Sequence, residues 1–228
     1  KMSLTYHGLF WEKLTDFYTG RKGAFKELLK ATDILIDNGI SPKWQLFINE
    51  KNKDDILKLV EYIDELGLKE HCPDFDFFIH EGSCDGENEK LYDIRLKKDS
   101  LPASLSPYFK GYADLKSETE LVADFKSRGD ECFVPSNSGA DPVIYISNGL
   151  DICFNFTHMQ PEWKIGNLDV DDISEISGRI KEEDIPALRN AAEITLVVLV
   201  IKYGDENSQR LFSEGYYKIY LLNRHLSL

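Results

Sequence analysis

Over its first 81 residues the chain alternates strand-like and helix-like runs at a spacing that leaves few ways to fold. A short extended run, Lys1 to Tyr6, leads through a loop to a helical stripe from Ala24 to Asp37, where Phe25, Leu28, Leu29, Thr32, Leu35 and Ile36 share one face. Asn38-Gly39 supplies a left-handed stop. Pro42 then opens the run Trp44 to Asn49, apolar almost throughout, as suits a strand covered on both faces. Asn52, with Asp55 three residues on, marks a second helix start, whose stripe is Ile56, Leu59, Val60, Ile63 and Leu66 before Gly67 ends it. Phe75 to His80 reads as a third strand. This order predicts an α/β layer of three parallel strands, near 1–6, 44–49 and 75–80, with the two helices on one outer face.

Ligands in such layers bind at the carboxyl ends of the strands, which places Thr5 to Gly8, Asn49 to Asn52 and His80 to Asp85 on a common rim. The longest of these loops, Thr5 to Phe25, carries Gly8, Gly20 and Gly23, so its backbone can turn tightly around a ligand.

Beyond Gly82 the pattern changes. Residues to about Ser117 are polar and irregular, with Pro102 and Pro107 breaking any period, and read as a connection. Ser117-x-x-Glu120 is a capping box ahead of a short helix with Leu121, Val122 and Phe125, closed by Gly129. Val143 to Ser147 and Leu150 to Phe156 are strand-like runs joined by Asn148-Gly149, a strong hairpin signal. Asp184 with Pro186 starts a helix through Ile194 to Ile201, apolar all round in its second half and therefore expected to be buried. A last helix is expected near Tyr216 to His225. The chain thus divides into an α/β part over 1–107 and a smaller α+β extension with a β-hairpin over 108–228.

A net charge of −13 with no basic stripe argues against nucleic acid and anionic membrane as partners. Ile194 to Ile201 is far short of the roughly 20 residues that span a bilayer. Cys72, Cys84, Cys132 and Cys153 have neither C-x-x-C pairing nor finger spacing, which makes a zinc site a poor reading. Two disulfides are arithmetically open, but nothing argues for secretion, and reduced thiols in the cytoplasm are the favoured state. Asp169-x-Asp171-Asp172 lacks the ligand spacing of a calcium loop and reads as a solvated helix start.

Thr5-x-His7-Gly8-Leu9, Asp16, Gly20-Arg21-x-Gly23-Ala24-Phe25, Gly39-Ile40, Asn49-x-x-Asn52 and Leu66-Gly67 together resemble the second half of the radical S-adenosylmethionine domain. The stretch from Val143 through Ser147-Asn148-Gly149-Leu150 to Cys153, with Ile165-Gly166-Asn167-Leu168 downstream, resembles the hairpin of the auxiliary-cluster (SPASM-type) extension. The resemblance implies a partial (β/α) barrel fragment followed by that extension. It also implies a parent enzyme that uses S-adenosylmethionine and an iron-sulfur (4Fe-4S) cluster on a peptide or similar substrate. The C-x-x-x-C-x-x-C loop that holds the cluster in that family does not occur in these 228 residues, nor does the Gly-rich methionine-binding segment. Of the extension's cysteines only Cys153 stands at a family position, and one thiolate does not hold a cluster. The expectation is therefore a carboxyl-terminal part that lacks its upstream cluster-binding segment, binds no cofactor by itself and is not catalytically competent alone. The other reading is a cluster-less binding module on the same scaffold.

Four residues are candidates for the cofactor rim. Thr5 stands where the family has Ser at a strand end, where its hydroxyl can bond a ribose or carboxylate, though Thr also simply favours strands. His7 can donate to a ligand or bond local backbone beside Gly8. Asn49 lies where the family places nucleotide contacts, whereas Asn52 already has a use as a helix cap. His80 ends the third strand facing the same rim. Without upstream neighbours, Lys1 to Tyr6 is expected to be an exposed edge bearing Met2 and Leu4, favouring a homodimer.

Overall fold

The computed structural model describes residues 20–226 apart from 66, 83, 85, 110, 130, 133–143, 155–160, 183, 192 and 193. Residues up to Glu81 together with Leu101–Lys110 form one unit, and Gly82–Ser100 with Gly111–Leu228 form the other.

In the first unit, helix α1 (Ala24–Asp37) buries Phe25, Leu29 and Thr32, spaced four and three residues apart on one face. Gly39, at φ 70°, takes the left-handed conformation that ends it. Trp44 Nε1–H donates to Thr32 Oγ1 at 3.0 Å, tying the helix to strand β1 (Lys43–Ile48). Helix α2 (Lys53–Glu65), which buries Ile56, Leu59, Val60 and Ile63, and the short helix α3 (Leu68–His71) carry the chain to β2 (Asp76–Glu81). β1 and β2 pair in parallel from Lys43 opposite Asp76 to Ile48 opposite Glu81.

The expected barrel fragment of three parallel strands is not found among the described residues. Among the described residues the one parallel sheet has two strands, and the others are small antiparallel sheets, so the fold is mixed α/β with short strands. The expected first strand, Lys1 to Tyr6, lies outside the described residues. After β2 the described residues do not continue the helix-and-parallel-strand pattern. Pro102 and Pro107 hold the chain in 3-10 turns instead, and the far edge of β2 gains a parallel bridge from Ile79 to Phe109. Nor is β1 covered on both faces: Trp44, Leu46 and Ile48 are buried while Phe47, on the other face, is 51% exposed.

In the second unit, Ser117 and Glu120 form the reciprocal capping box of α4 (Glu118–Ser127). Just before it, β3 (Lys116–Ser117) pairs with β7 (Leu211–Phe212). β4 (Ile144–Ile146) and β5 (Asp151–Phe154) form the hairpin, and β6 (Lys164–Asn167) extends it on the β5 side. The left-handed residue of its turn is Leu150, at φ 61°, not Gly149. Ser147 Oγ accepts the N–H groups of Gly149 and Asp151 and so holds that turn closed. Asp172 caps α5 (Ile173–Lys181) by accepting from Ser174 N–H at 2.7 Å.

The single helix expected from Asp184 to Ile201 is two, α6 (Pro186–Ala191) and α7 (Leu196–Tyr203), because Thr195 caps a fresh start and bridges to Cys132. Helix α7 packs on α4 and on α8 (Glu214–Leu226), burying Leu196, Leu199 and Val200. Val198 and Ile201 remain exposed, so an all-round apolar helix here is covered on one face only. No helix of the described residues is long and apolar enough to cross a membrane.

Candidate functional site

At the carboxyl end of β1 the chain must turn sharply into α2, and two asparagines shape that turn. Asn52 Oδ1 accepts from Asn49 N–H at 2.7 Å while its Nδ2 donates to the Phe47 carbonyl at 2.9 Å. Asn52 therefore braces the loop backwards onto the strand instead of capping the helix ahead of it. Asn49 Oδ1 accepts from Lys51 N–H at 2.9 Å, a local turn that asparagine favours. Both asparagines are buried.

Across the sheet, Phe47 stands opposite His80 in register, and their rings lie 4.3 Å apart at 52°. Phe78, two residues back on the same face, lies 5.8 Å from the imidazole. His80 Nδ1 is 3.0 Å from the Glu81 carbonyl oxygen. A carbonyl oxygen can only accept, so Nδ1 carries the proton and Nε2 holds a bare lone pair. Nε2 is buried and, among the described residues, has no hydrogen-bond partner. Burial pushes the imidazole pKa below its ordinary value, against a smaller upward contribution from the Glu81 carbonyl. The ring is thus neutral at pH 7. It is suited to accept a hydrogen bond from a hydroxyl or amino group, not to act as a general acid.

Of the four rim candidates, the structure places Asn49 and His80 at the ends of adjacent strands. Thr5 and His7 lie outside the described residues. Cys72, Cys84 and Cys153 are buried, Cys132 is exposed, and no group of three or more metal-binding side chains occurs among the described residues.

The second unit holds a polar cluster that the sequence reading missed. Glu118, at the first turn of α4, is fully buried. Its carboxylate accepts from Tyr92 O–H at 2.6 Å, Tyr217 O–H at 2.9 Å and Asp205 N–H at 3.2 Å. Burial first, then the Glu118 carboxylate, push the Tyr92 and Tyr217 hydroxyls well above their ordinary range, so both remain donors. Tyr220, stacked on Tyr92 at 5.4 Å, is pushed up to about 12, mainly by burial. Arg95, also buried, donates to the Leu211 carbonyl at 2.5 Å and the Gly82 carbonyl at 2.7 Å, with its guanidinium 4.0 Å from the Phe212 ring centroid. One signal was present: the capping box fixes Glu118 at the helix start, and Tyr217 and Tyr220 sit three apart on one helical face. These donors and acceptors answer one another within the unit, which marks the cluster as part of the core.

No family model, curated protein or solved structure matches the chain.

Proposed function

We propose that the chain is the carboxyl-terminal part of a radical S-adenosylmethionine enzyme acting on a peptide or similar substrate. In this reading the ends of β1 and β2 contact the adenosyl group. The motif residues around Thr5 to Phe25 and Asn49 to Asn52 support it, and so does the hairpin segment before Cys153. The observation that carries the site is His80 Nε2, a buried acceptor without a donor among the described residues, beside the half-exposed ring of Phe47. Buried polar atoms are ordinarily paired, so an orphan on an open face supports a ligand that brings the donor. A ribose hydroxyl or the adenine amino group supplies such a donor, and Phe47 offers a face for the base. Bound S-adenosylmethionine would supply the radical on reductive cleavage. The residues here bind and orient, and the cluster chemistry lies with other residues.

Although the sequence leads one to expect no cofactor on this chain alone, the orphan His80 Nε2 supports binding of the adenosyl group by these residues, and equilibrium dialysis of S-adenosylmethionine and of adenosine tests it. The His80→Phe variant should weaken binding by about 3- to 10-fold, the worth of one neutral hydrogen bond. Unchanged affinity in that variant contradicts the assignment. Anaerobic reconstitution of this chain should leave iron and sulfide below stoichiometric levels, and cluster uptake would overturn the reading of its cysteines.

A second reading, a cluster-less binding module, is favoured by the lack of a C-x-x-x-C-x-x-C loop in this sequence. Reading the gene upstream of Lys1 for that loop separates the two.

A further inference from the structure

The hairpin turn and the turn between β6 and α5 meet at one end of the three-stranded sheet. Leu168 N–H donates to the Leu150 carbonyl at 3.0 Å, and Asn167 Nδ2 donates to the Gly149 carbonyl at 2.8 Å. Four large apolar side chains flank this junction and face water: Val170 is 84% exposed, Ile173 72%, Ile146 56% and Leu150 37%. Single exposed apolar residues are ordinary, but a group of them on adjoining turns marks an interaction surface. Its charge is one-sided. Asp169, Asp172 and Glu175 are exposed among these residues, and residues 167–175 contain no Lys or Arg. Two cations next to these residues are engaged: Lys164 pairs with Asp151 at 2.5 Å, and Arg179 donates to the Ile165 carbonyl at 2.7 Å and faces Asp171 at 3.4 Å and Glu175 at 3.7 Å, which leaves Asp169 and Asp172 without a basic partner among the described residues.

We propose that this corner docks an extended peptide segment that alternates apolar and cationic side chains. Its apolar residues lie on Val170, Ile173 and Ile146, and its Lys or Arg groups face Asp169 and Asp172, with the Arg179-paired Glu175 adding negative charge beside them. The charge selects this occupant. A second copy would set the same carboxylates against one another in a chain of net charge −13, and nucleic acid or an anionic membrane is repelled for the same reason. β4 adds a place for extended backbone: it is an uncharged Ile-Tyr-Ile run whose ladder partner, among the described residues, is β5 on one side. The inference gives a class to the peptide substrate proposed above and rests on that reading for the peptide's role, not for its binding.

Fluorescence polarisation with labelled ten-residue peptides is the test, using Lys-Leu, Glu-Leu and Lys-Ser repeats as probes. Lys-Leu should bind at least 10-fold more tightly than either of the others. The double variant Val170→Ser with Ile173→Ser alters two exposed positions and should weaken Lys-Leu binding about 10-fold with unfolding unchanged. Asp169→Asn with Glu175→Gln should weaken it about 5-fold and reduce its salt dependence, since exposed charges are screened over about 8 Å at physiological ionic strength. Equal binding of all three peptides, or undiminished binding by the Val170/Ile173 double variant, overturns the proposal. The His80→Phe variant should bind Lys-Leu like the parent chain, so failure of the adenosyl site and failure of this corner are read separately.

Discussion

In the unit formed by Gly82–Ser100 and Gly111–Leu228, a fully buried carboxylate is met by three donors. In the unit that carries the β1–β2 pair, a buried imidazole nitrogen is met by none among the described residues. Both groups are polar atoms held away from water, and an unmet one costs about 1–3 kcal/mol. The closed unit meets that cost internally, with Glu118 among tyrosine hydroxyls and Arg95 against backbone carbonyls and the Phe212 ring. The other leaves it standing on a sheet face where Phe47 is half-exposed. Satisfied polar burial is architecture; the unsatisfied nitrogen beside Phe47 is where the proposed ligand would supply the missing donor.

That contrast breaks most readily by removing each group in turn. Glu118→Ala leaves two tyrosine hydroxyls and the Asp205 N–H without an acceptor and should cost about 3–5 kcal/mol in urea unfolding. His80→Phe keeps a ring against Phe47 and removes the orphan nitrogen, so stability should stay within about 0.5 kcal/mol of the parent or rise. Comparable losses in both would erase the distinction.

Close packing in the closed unit offers a second probe. A Cβ on Gly166 would sit 2.9 Å from Asp171 Oδ2, 3.0 Å from Ile176 Cγ1 and 3.3 Å from Arg179 Nη1. Gly166→Ala should therefore cost about 1–3 kcal/mol, visible as a lower Tm. A neutral result would mean that the β6–α5 junction yields more readily than its packing implies.

Acid titration shows how much less a polar group is worth at the surface of the same unit. Arg128 donates to both carboxylate oxygens of Glu214, at 2.8 and 3.0 Å, and holds its pKa down from 4.5 to about 2. A carboxylate depressed in the fold stabilises above its unfolded pKa. This contribution is therefore complete above about pH 5 and is lost as pH falls from 4.5 towards 2. Because the side chain is partly exposed, solvent screening reduces its worth to about 1 kcal/mol. The total loss of stability over that window should shrink by this amount in Glu214→Gln; an unchanged loss would show the pair contributes nothing.

The smallest effect sharpens the reading of the hairpin. Leu150 holds a left-handed φ of 61° that glycine adopts without strain, so Leu150→Gly should raise stability by about 0.5 kcal/mol. A loss would show that the Leu150 side chain, one-third exposed, packs more than it strains.

Local chemistry in the sequence proved legible where one element decided the outcome. The stripe of α1 with its Asn38-Gly39 stop, the Ser117 capping box and the Asn148-Gly149 hairpin each follow from residues within a few positions of one another. Tertiary pairing was not legible in the same way. Apolar residues on both faces of β1 suggested two-sided burial, but Phe47 is half-exposed, and among the described residues the parallel pairing beyond β2 is one bridge to Phe109. Of the site, the positions of Asn49 and His80 at adjacent strand ends follow from spacing. The pairing of Phe47 with His80, the tautomer set by the Glu81 carbonyl and the backward bracing by Asn52 depend on register and loop path, which no short pattern encodes. The Glu118 cluster joins Tyr92, Asp205 and Tyr217 across more than 100 residues of sequence, and the local signals at Glu118 and at Tyr217 with Tyr220 do not say that these residues meet.

The central claim is that the lone pair on His80 Nε2 awaits a donor from a ligand. Nitrogen-15 imidazole spectra of the protein, recorded at neutral pH with and without saturating S-adenosylmethionine, test it directly. The expected free state is a neutral ring protonated on Nδ1 with a non-bonded Nε2, whose resonance moves upfield as a hydrogen bond forms on addition of the ligand. A ring protonated on Nε2 in the free protein, or an Nε2 resonance unmoved by ligand, would contradict it.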